Sequence, residues 1–220
     1  MRLIIAFLVC LSIISASTIK DAKKAHKDGE FEKAFKLYKQ AVLEDEPEAF
    51  YQLGKFYYEG KEVERDYHKA YKYLTAAHFL DYEKATYNLG IFYSKKNTPY
   101  HDYRKAFKTF LYLAQRGNDK AQNRVGMFYT FGMGMKKDYK EAVRWYEKSA
   151  KQHYVDAQCN LAFMYASGKG VWQNMGRAHA FARPGYEKGN RYCKKVWKDF
   201  KLKKYPEDKG WKLKFYNKPE

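Results

Sequence analysis

Residues 121–150 read AQNRVGMFYTFGMGMKKDYKEAVRWYEKSA. Ala121, Val125-Gly126 and Tyr129 fall on one helical face, Gly132-Met133-Gly134 interrupts it, Asp138 stands where a helix cap belongs, and Ala142 and Tyr146 start a second stripe. The same frame recurs at intervals of 36 residues on either side. Ala49, Ala85, Ala121 and Ala157 open the copies, followed by Leu53-Gly54, Leu89-Gly90, Val125-Gly126 and Leu161-Ala162. Then come Tyr57, Tyr93, Tyr129 and Tyr165, a polar residue at Asp66, Asp102, Asp138 and Asn174, and Ala70, Ala106, Ala142 and Ala178. Four gapless copies at this period mark a solenoid. Such chains usually act through an extended surface rather than a catalytic pocket.

Each copy reads as two helices. In the copy opening at Pro47, Ala49, Leu53, Phe56 and Tyr57 share a stripe, Gly60 ends the helix, and Lys61 to Arg65 form a polar loop. Asp66 is placed to accept from the free N–H groups of a second helix, whose stripe is Tyr67, Ala70, Tyr71, Leu74 and Ala77. Gly54, Gly90, Gly126 and Ala162 lie mid-helix, where glycine costs ~1 kcal/mol against alanine. A close approach of the partner helix is expected there, with Ala70, Ala106, Ala142 and Ala178 facing them. Phe56, Phe92, Phe128 and Met164, with Leu74, Phe110 and Tyr146, fill the space around this contact, each stabilising by roughly 1.5–3 kcal/mol when buried. Two departures stand out. Ser94 to Pro99 replaces the glycine loop of the second copy, and the second helix of the fourth carries Gly176 and Pro184, both poor there, with Pro184 expected to kink or shorten it.

The flanks differ from the repeats. Residues 18–46 form a half-unit, with Ala22 in one helix and Ala34, Tyr38 and Ala41 in the next, suited to cap the stack. Four full repeats occupy 47–190. From 191 to 220 a capping helix is followed by a basic aromatic tail. Trp197 and Phe200 take the leucine and phenylalanine slots, whereas Lys198 takes the small slot and bars a further helix. In the tail, lysines interleave with Tyr205, Trp211, Phe215 and Tyr216, which suits either an arm for weak contact with a polyanion or anionic surface, or a segment folded back over the last helix.

Arg2, the apolar run Leu3 to Ile14 and the small residues Ser15, Ala16 and Ser17 have the order of a secretory signal peptide over 1–17, cleaved near Ala16 or Ser17. The run is shorter than the ~20 residues needed to span a bilayer. Cys10 is expected to leave with it. Cys159 and Cys193 remain, on the first helices of adjacent repeats, in a chain expected to meet an oxidising compartment, periplasmic or extracellular. Whether they bond depends on geometry. The 220 residues include 22 Tyr and 15 Phe, ample core material, and the formal charge is +18. That excess attracts polyanions in principle, but acidic residues interspersed through the repeats favour solvated helix faces.

The pattern Ala-x-x-x-Leu-Gly-x-x-Tyr, a Gly-x-Gly loop, Asp, then Lys-Ala and an aromatic pair resembles the Sel-one-like repeat (SLR), a branch of the tetratricopeptide superfamily. The third copy carries it most fully, through Trp145-Tyr146 and Ala150. The resemblance implies an all-α, right-handed superhelical solenoid of antiparallel helix pairs that works as an adaptor, and it likens residues 18–46 to a tetratricopeptide-type cap. Exported cysteine-rich members are described as binding or hydrolysing β-lactams. They carry cysteine pairs eight positions apart, which this chain lacks.

No residue pattern calls for a cofactor, a metal or a catalytic group. Ser17-Thr18-Ile19-Lys20 fits Ser-x-x-Lys but has no companion motif. The six histidines have no metal-ligand spacing. By analogy with tetratricopeptide folds, the concave face is lined by columns from the first helices: Tyr51, Tyr87, Asn123 and Cys159; Lys55, Ile91, Met127 and Phe163; Tyr58, Ser94, Thr130 and Ala166. The apolar run Ile91, Met127 and Phe163 suits either a groove for a protein or peptide or a column that buries itself. The function expected is an exported, non-catalytic protein-binding scaffold. The alternative is a β-lactam-binding hydrolase.

Overall fold

The computed structural model describes residues 18–206 and residue 208. The leader with Cys10, Ser17 of the Ser-x-x-Lys pattern, and the tail aromatics Trp211, Phe215 and Tyr216 lie outside the described residues. Within them every regular element is helical, eleven α-helices in sequence and no strand. The chain divides into two compact units, Met1–His101 and Asp102–Glu220.

The first unit holds α1 (described over residues 18–27), α2 (Phe31–Ala41), α3 (Pro47–Glu59), α4 (Tyr67–Phe79) and α5 (Glu83–Ser94). Ala22 and Ala25 of α1 pack with Ala34, Tyr38 and Ala41 of α2 and Ala49, Leu53 and Phe56 of α3. Alanines let the backbones approach while the rings fill the gaps, with Phe35 and Phe56 meeting edge to face at 5.5 Å. Tyr57 stacks on Tyr73 across the α3/α4 hairpin, centroids 5.7 Å apart. The glycine-free loop after α5 is shaped by side chains. Buried Thr98 donates to the carbonyls of Phe92 and Lys95 at 3.2 and 3.1 Å, and Tyr100 stacks on Tyr71 at 4.2 Å.

The second unit holds α6 (Tyr103–Gln115), α7 (Asp119–Phe131), α8 (Tyr139–Lys151), α9 (Val155–Ser167), α10 (Met175–Glu187) and α11 (Arg191–Asp199). One core cluster in it includes Ala142, Tyr146, Ala157, Leu161, Met164, Tyr165, Ala178, Phe181, Val196 and Leu202. Tyr165 stacks on Phe181 at 5.7 Å, the counterpart of Tyr57 on Tyr73. Aspartate or asparagine caps open the second helices of the four full repeats. Asp66 accepts from the N–H groups of His68 and Lys69, Asp102 from those of Arg104 and Lys105, Asp138 from that of Glu141, and Asn174 from that of Arg177. Between repeats the turn holds one residue at positive φ in the same register: Asp45, Asp81, Gly117, His153 and Gly189. That register extends to the half-unit before residue 47.

Two expectations need correction. The small mid-helix residues do allow close approach, but the nearest atoms belong to the large residue one turn beyond the alanine. A Cβ on Gly54 would lie 2.9 Å from Leu74 Cγ, and one on Gly126 2.6 Å from the Tyr146 ring. Second, α10 is not shortened. It runs 13 residues through Pro184, as do α4, α6 and α8. The proline removes a single N–H near the end of a helix held by buried Ala178, Phe181 and Ala182. The glycines of α10 make room for later chain. A Cβ on Gly176 would crowd the Pro206 carbonyl at 3.0 Å, and one on Gly185 would overlap Cys193 Sγ.

Candidate functional site

Burial of Ala49, Leu53 and Phe56 turns the adjoining stripe of α3, namely Tyr51, Lys55 and Tyr58, half out of the core. On α5, Tyr87 and Ile91 are likewise half-buried. Lys55, Tyr58 and Ile91 line one cleft of about 200 Å³, together with Gly54, Glu59, Leu74, Asn88 and Phe92. Tyr51 adjoins it, its hydroxyl accepting from Asn88 Nδ2 at 3.0 Å and its ring lying 5.8 Å from Lys55 Nζ. Tyr58 packs on Phe92 at 5.8 Å. Burial raises the pKa of the Tyr51 and Tyr58 phenols, so at neutral pH they are uncharged hydrogen-bonding groups.

Lys55 and Glu59 also border a second cleft, of about 210 Å³, with His26, Phe31, Phe56, Lys61 and Glu62. His26 is ringed by Phe31, Phe56 and Tyr38 at 5.4, 5.6 and 6.0 Å. Its Nδ1 is buried without a hydrogen-bond partner among the described residues. Burial first, and Lys55 next, lower its pKa and favour the neutral ring. A wider depression of about 620 Å³ follows α2, and the charged residues in its walls include the self-paired Glu30–Lys33 and Glu32–Lys36, each at 2.7 Å.

In the second unit the expected site residues are more fully engaged. Asn123 is only 5 % exposed, and its Oδ1 accepts from Asn160 Nδ2 at 2.8 Å. It presents no open surface, because the next first helix supplies a partner that reaches it. Its column mate Cys159, and Thr130 and Ala166 of the third column, are buried too. Met127 and Phe163 are half-buried against the core, with Phe163 edge-on to Phe200 at 6.0 Å and below Lys169 at 5.1 Å. Cys159 and Cys193 are joined by a disulfide, Cα atoms 4.9 Å apart, tying α9 to α11. The chain after α11 then returns over α10. His179 Nδ1 lies 3.1 Å from the Leu202 carbonyl, and Arg177 pairs with Asp208 at 3.4 Å.

The column carrying Asn88 and Asn160 went unnoticed in sequence, although a signal existed. Gln52, Asn88, Arg124 and Asn160 are polar at one register position beside the buried alanine stripe. Elsewhere, His78 Nδ1 and the Thr86 hydroxyl meet at 2.8 Å, a base beside a nucleophile in outline. Thr86 is 1 % exposed, too enclosed to meet a substrate. Among the described residues no three His, Cys, Asp or Glu side chains gather as a metal site, and no helix is long and apolar enough to cross a membrane.

The sequence matches the family described as the Sel1 repeat over residues 19–45, 47–77, 83–118, 119–154 and 155–190. Among solved structures it is similar to a protective antigen of uropathogenic Escherichia coli that displays an SLR fold, with TM-score 0.75 and 23% identity. That match covers 86% of this chain and 42% of the antigen, so the chain spans less than half of that protein. A Sel1 repeat protein from Oxalobacter formigenes gives TM-score 0.73 and 26% identity over 86% of this chain and 79% of that one. An immunity protein from Pseudomonas aeruginosa shares the fold at TM-score 0.53 and 19% identity, over 89% and 77% of the two chains. No curated protein matches the sequence.

Proposed function

The chain belongs to the Sel1 repeat family, whose members are typically protein-interaction scaffolds, and from that premise we propose that it is an exported, non-catalytic scaffold binding another protein through its first-helix face. The observation that carries this is the cleft between α3 and α5. There Lys55, Tyr58, Asn88 and Ile91 meet half-exposed on a helical frame, over buried Leu74 and Phe92. Export is supported by the signal-like order of residues 1–17 and by the Cys159–Cys193 disulfide, which persists in oxidising compartments. The basic tail supplies at most weak, salt-sensitive contact with anionic surfaces.

Affinity capture from an envelope extract tests the reading. The wild-type chain should retain a partner that Ile91→Asp with Met127→Asp loses. Retention by the double variant would refute the assignment of this face. The hydrolase alternative draws no support from the residues described, since the repeats lack the paired cysteines of that subgroup.

A further inference from the structure

Lys55 is half-buried, and among the described residues no carboxylate pairs with its ammonium. Glu59, one turn on, is held by Lys61 at 3.1 Å. A partly desolvated cation without a counter-ion is unfavourable, and an arriving carboxylate forms a charge-assisted hydrogen bond with it. Asn88 stands in the same cleft with one N–H committed to Tyr51 at 3.0 Å, which leaves its carbonyl and second N–H for a ligand. Those two groups match the donor and acceptor of a peptide main chain. Leu74, Ile91 and Phe92 supply an apolar wall. The volume of about 200 Å³ admits a bulky side chain, and falls below the ~300–1,000 Å³ of sites that enclose a drug-sized ligand.

We infer that this cleft seats a short stretch of partner polypeptide in which an aspartate or glutamate adjoins a bulky apolar residue. The carboxylate meets Lys55, the main chain meets Asn88, and the apolar side chain enters between Leu74, Ile91 and Phe92. The net charge of +18 adds a long-range preference for acidic partners. The inference rests on the first-helix face being the interaction surface and specifies the chemistry it selects.

Selection of a displayed random-dodecapeptide library on the full chain tests it, followed by titration of the fluorescein-labelled winners. Winners should carry an acid beside Leu, Ile, Phe or Met. Lys55→Met should weaken them about tenfold, the loss of one hydrogen bond to a charged group, while Lys72→Met on the outer face of α4 removes the same charge without effect. Selection on Lys55→Glu should replace the acid by Lys or Arg. Winners without acids, or less than about twofold weakening by Lys55→Met, would overturn the inference. If those winners are still displaced by Ile91→Asp, the interaction face stands and only its chemistry is wrong. If the wild-type chain selects no peptide, the inference is overturned, and the face itself then falls if partner capture also survives the Ile91→Asp, Met127→Asp pair. Circular dichroism of each variant must match the wild type.

Discussion

Replacing Gly126 by alanine sets two effects of known sign against each other. Alanine in a helix interior stabilises by about 1 kcal/mol relative to glycine. Against this, the new Cβ would stand 2.6 Å from two carbons of the Tyr146 ring and 3.0 Å from a third. Favourable carbon contacts lie near ~3.5–4.0 Å, so ring and helix must part by about 1 Å. The ring has little freedom to yield. Tyr146 is 1 % exposed, and its hydroxyl is 2.9 Å from Thr130 Oγ1. Overpacking of this kind costs about 1–3 kcal/mol, and a rigid enclosed ring belongs in the upper half of that range. The net loss is then about 1–2 kcal/mol, or roughly 2–8 °C in Tm for a chain of this size. Thermal unfolding followed by circular dichroism measures it. In a Tyr146→Ala background the obstacle is gone, and Gly126→Ala should restore about 1 kcal/mol of helix stability. A Tm raised by Gly126→Ala in the otherwise wild-type chain would refute the packing account.

The carboxyls of Asp66 and Asp102 are held below their ordinary 3.8, chiefly by the N–H groups of Lys69 and Lys105 respectively. A lowered folded-state pKa contributes stability present above the unfolded value and lost as pH falls through the folded one. Below about pH 4, therefore, wild-type Tm should drop more steeply than that of the Asp66→Asn, Asp102→Asn variant, and parallel slopes would contradict the capping role. Burial lowers the pKa of His26, so protonation favours the unfolded chain and stability should decline as pH falls below 6.5, a decline reduced in His26→Phe. Equal pH profiles for the two proteins would disprove this. The disulfide closes a loop of sequence separation 34, worth about 3–4 kcal/mol of chain entropy, so Cys159→Ala with Cys193→Ala should lose that much in urea unfolding. A loss below about 1 kcal/mol would mean that α11 is held without it. A chromogenic cephalosporin should show no turnover above buffer, and clear turnover would reopen the hydrolase reading.

Helix pairs, caps and buried stripes were legible in sequence because each depends on residues within a few positions of one another. Asp66 caps from within its own first turn, and Ala49, Leu53 and Phe56 share a face whatever lies opposite. Axial register between helices was not legible. Periodicity shows that Gly54 and Gly126 face a partner but not how far that partner slides, so Leu74 and Tyr146 occupy the place expected for Ala70 and Ala142. Long-range returns were hidden as well. Gly176 reads as unfavourable in its helix, and Gly185 carries no signal at all, because the Pro206 carbonyl and Cys193, which need their space, come later in the chain. In the candidate site, Lys55, Tyr58 and Ile91 meet in one cleft, whereas Asn123, at the register position of Tyr51, is enclosed by Asn160.

A partner is expected to touch the first-helix face of the repeats. A photo-crosslinking amino acid placed singly at Ile91, and in a second protein at exposed Lys72 on the outer face of α4, measures that contact in the native envelope. The prediction is a discrete crosslinked polypeptide from position 91 and none from position 72. Crosslinks from position 72 alone, or the same products from both, would contradict it.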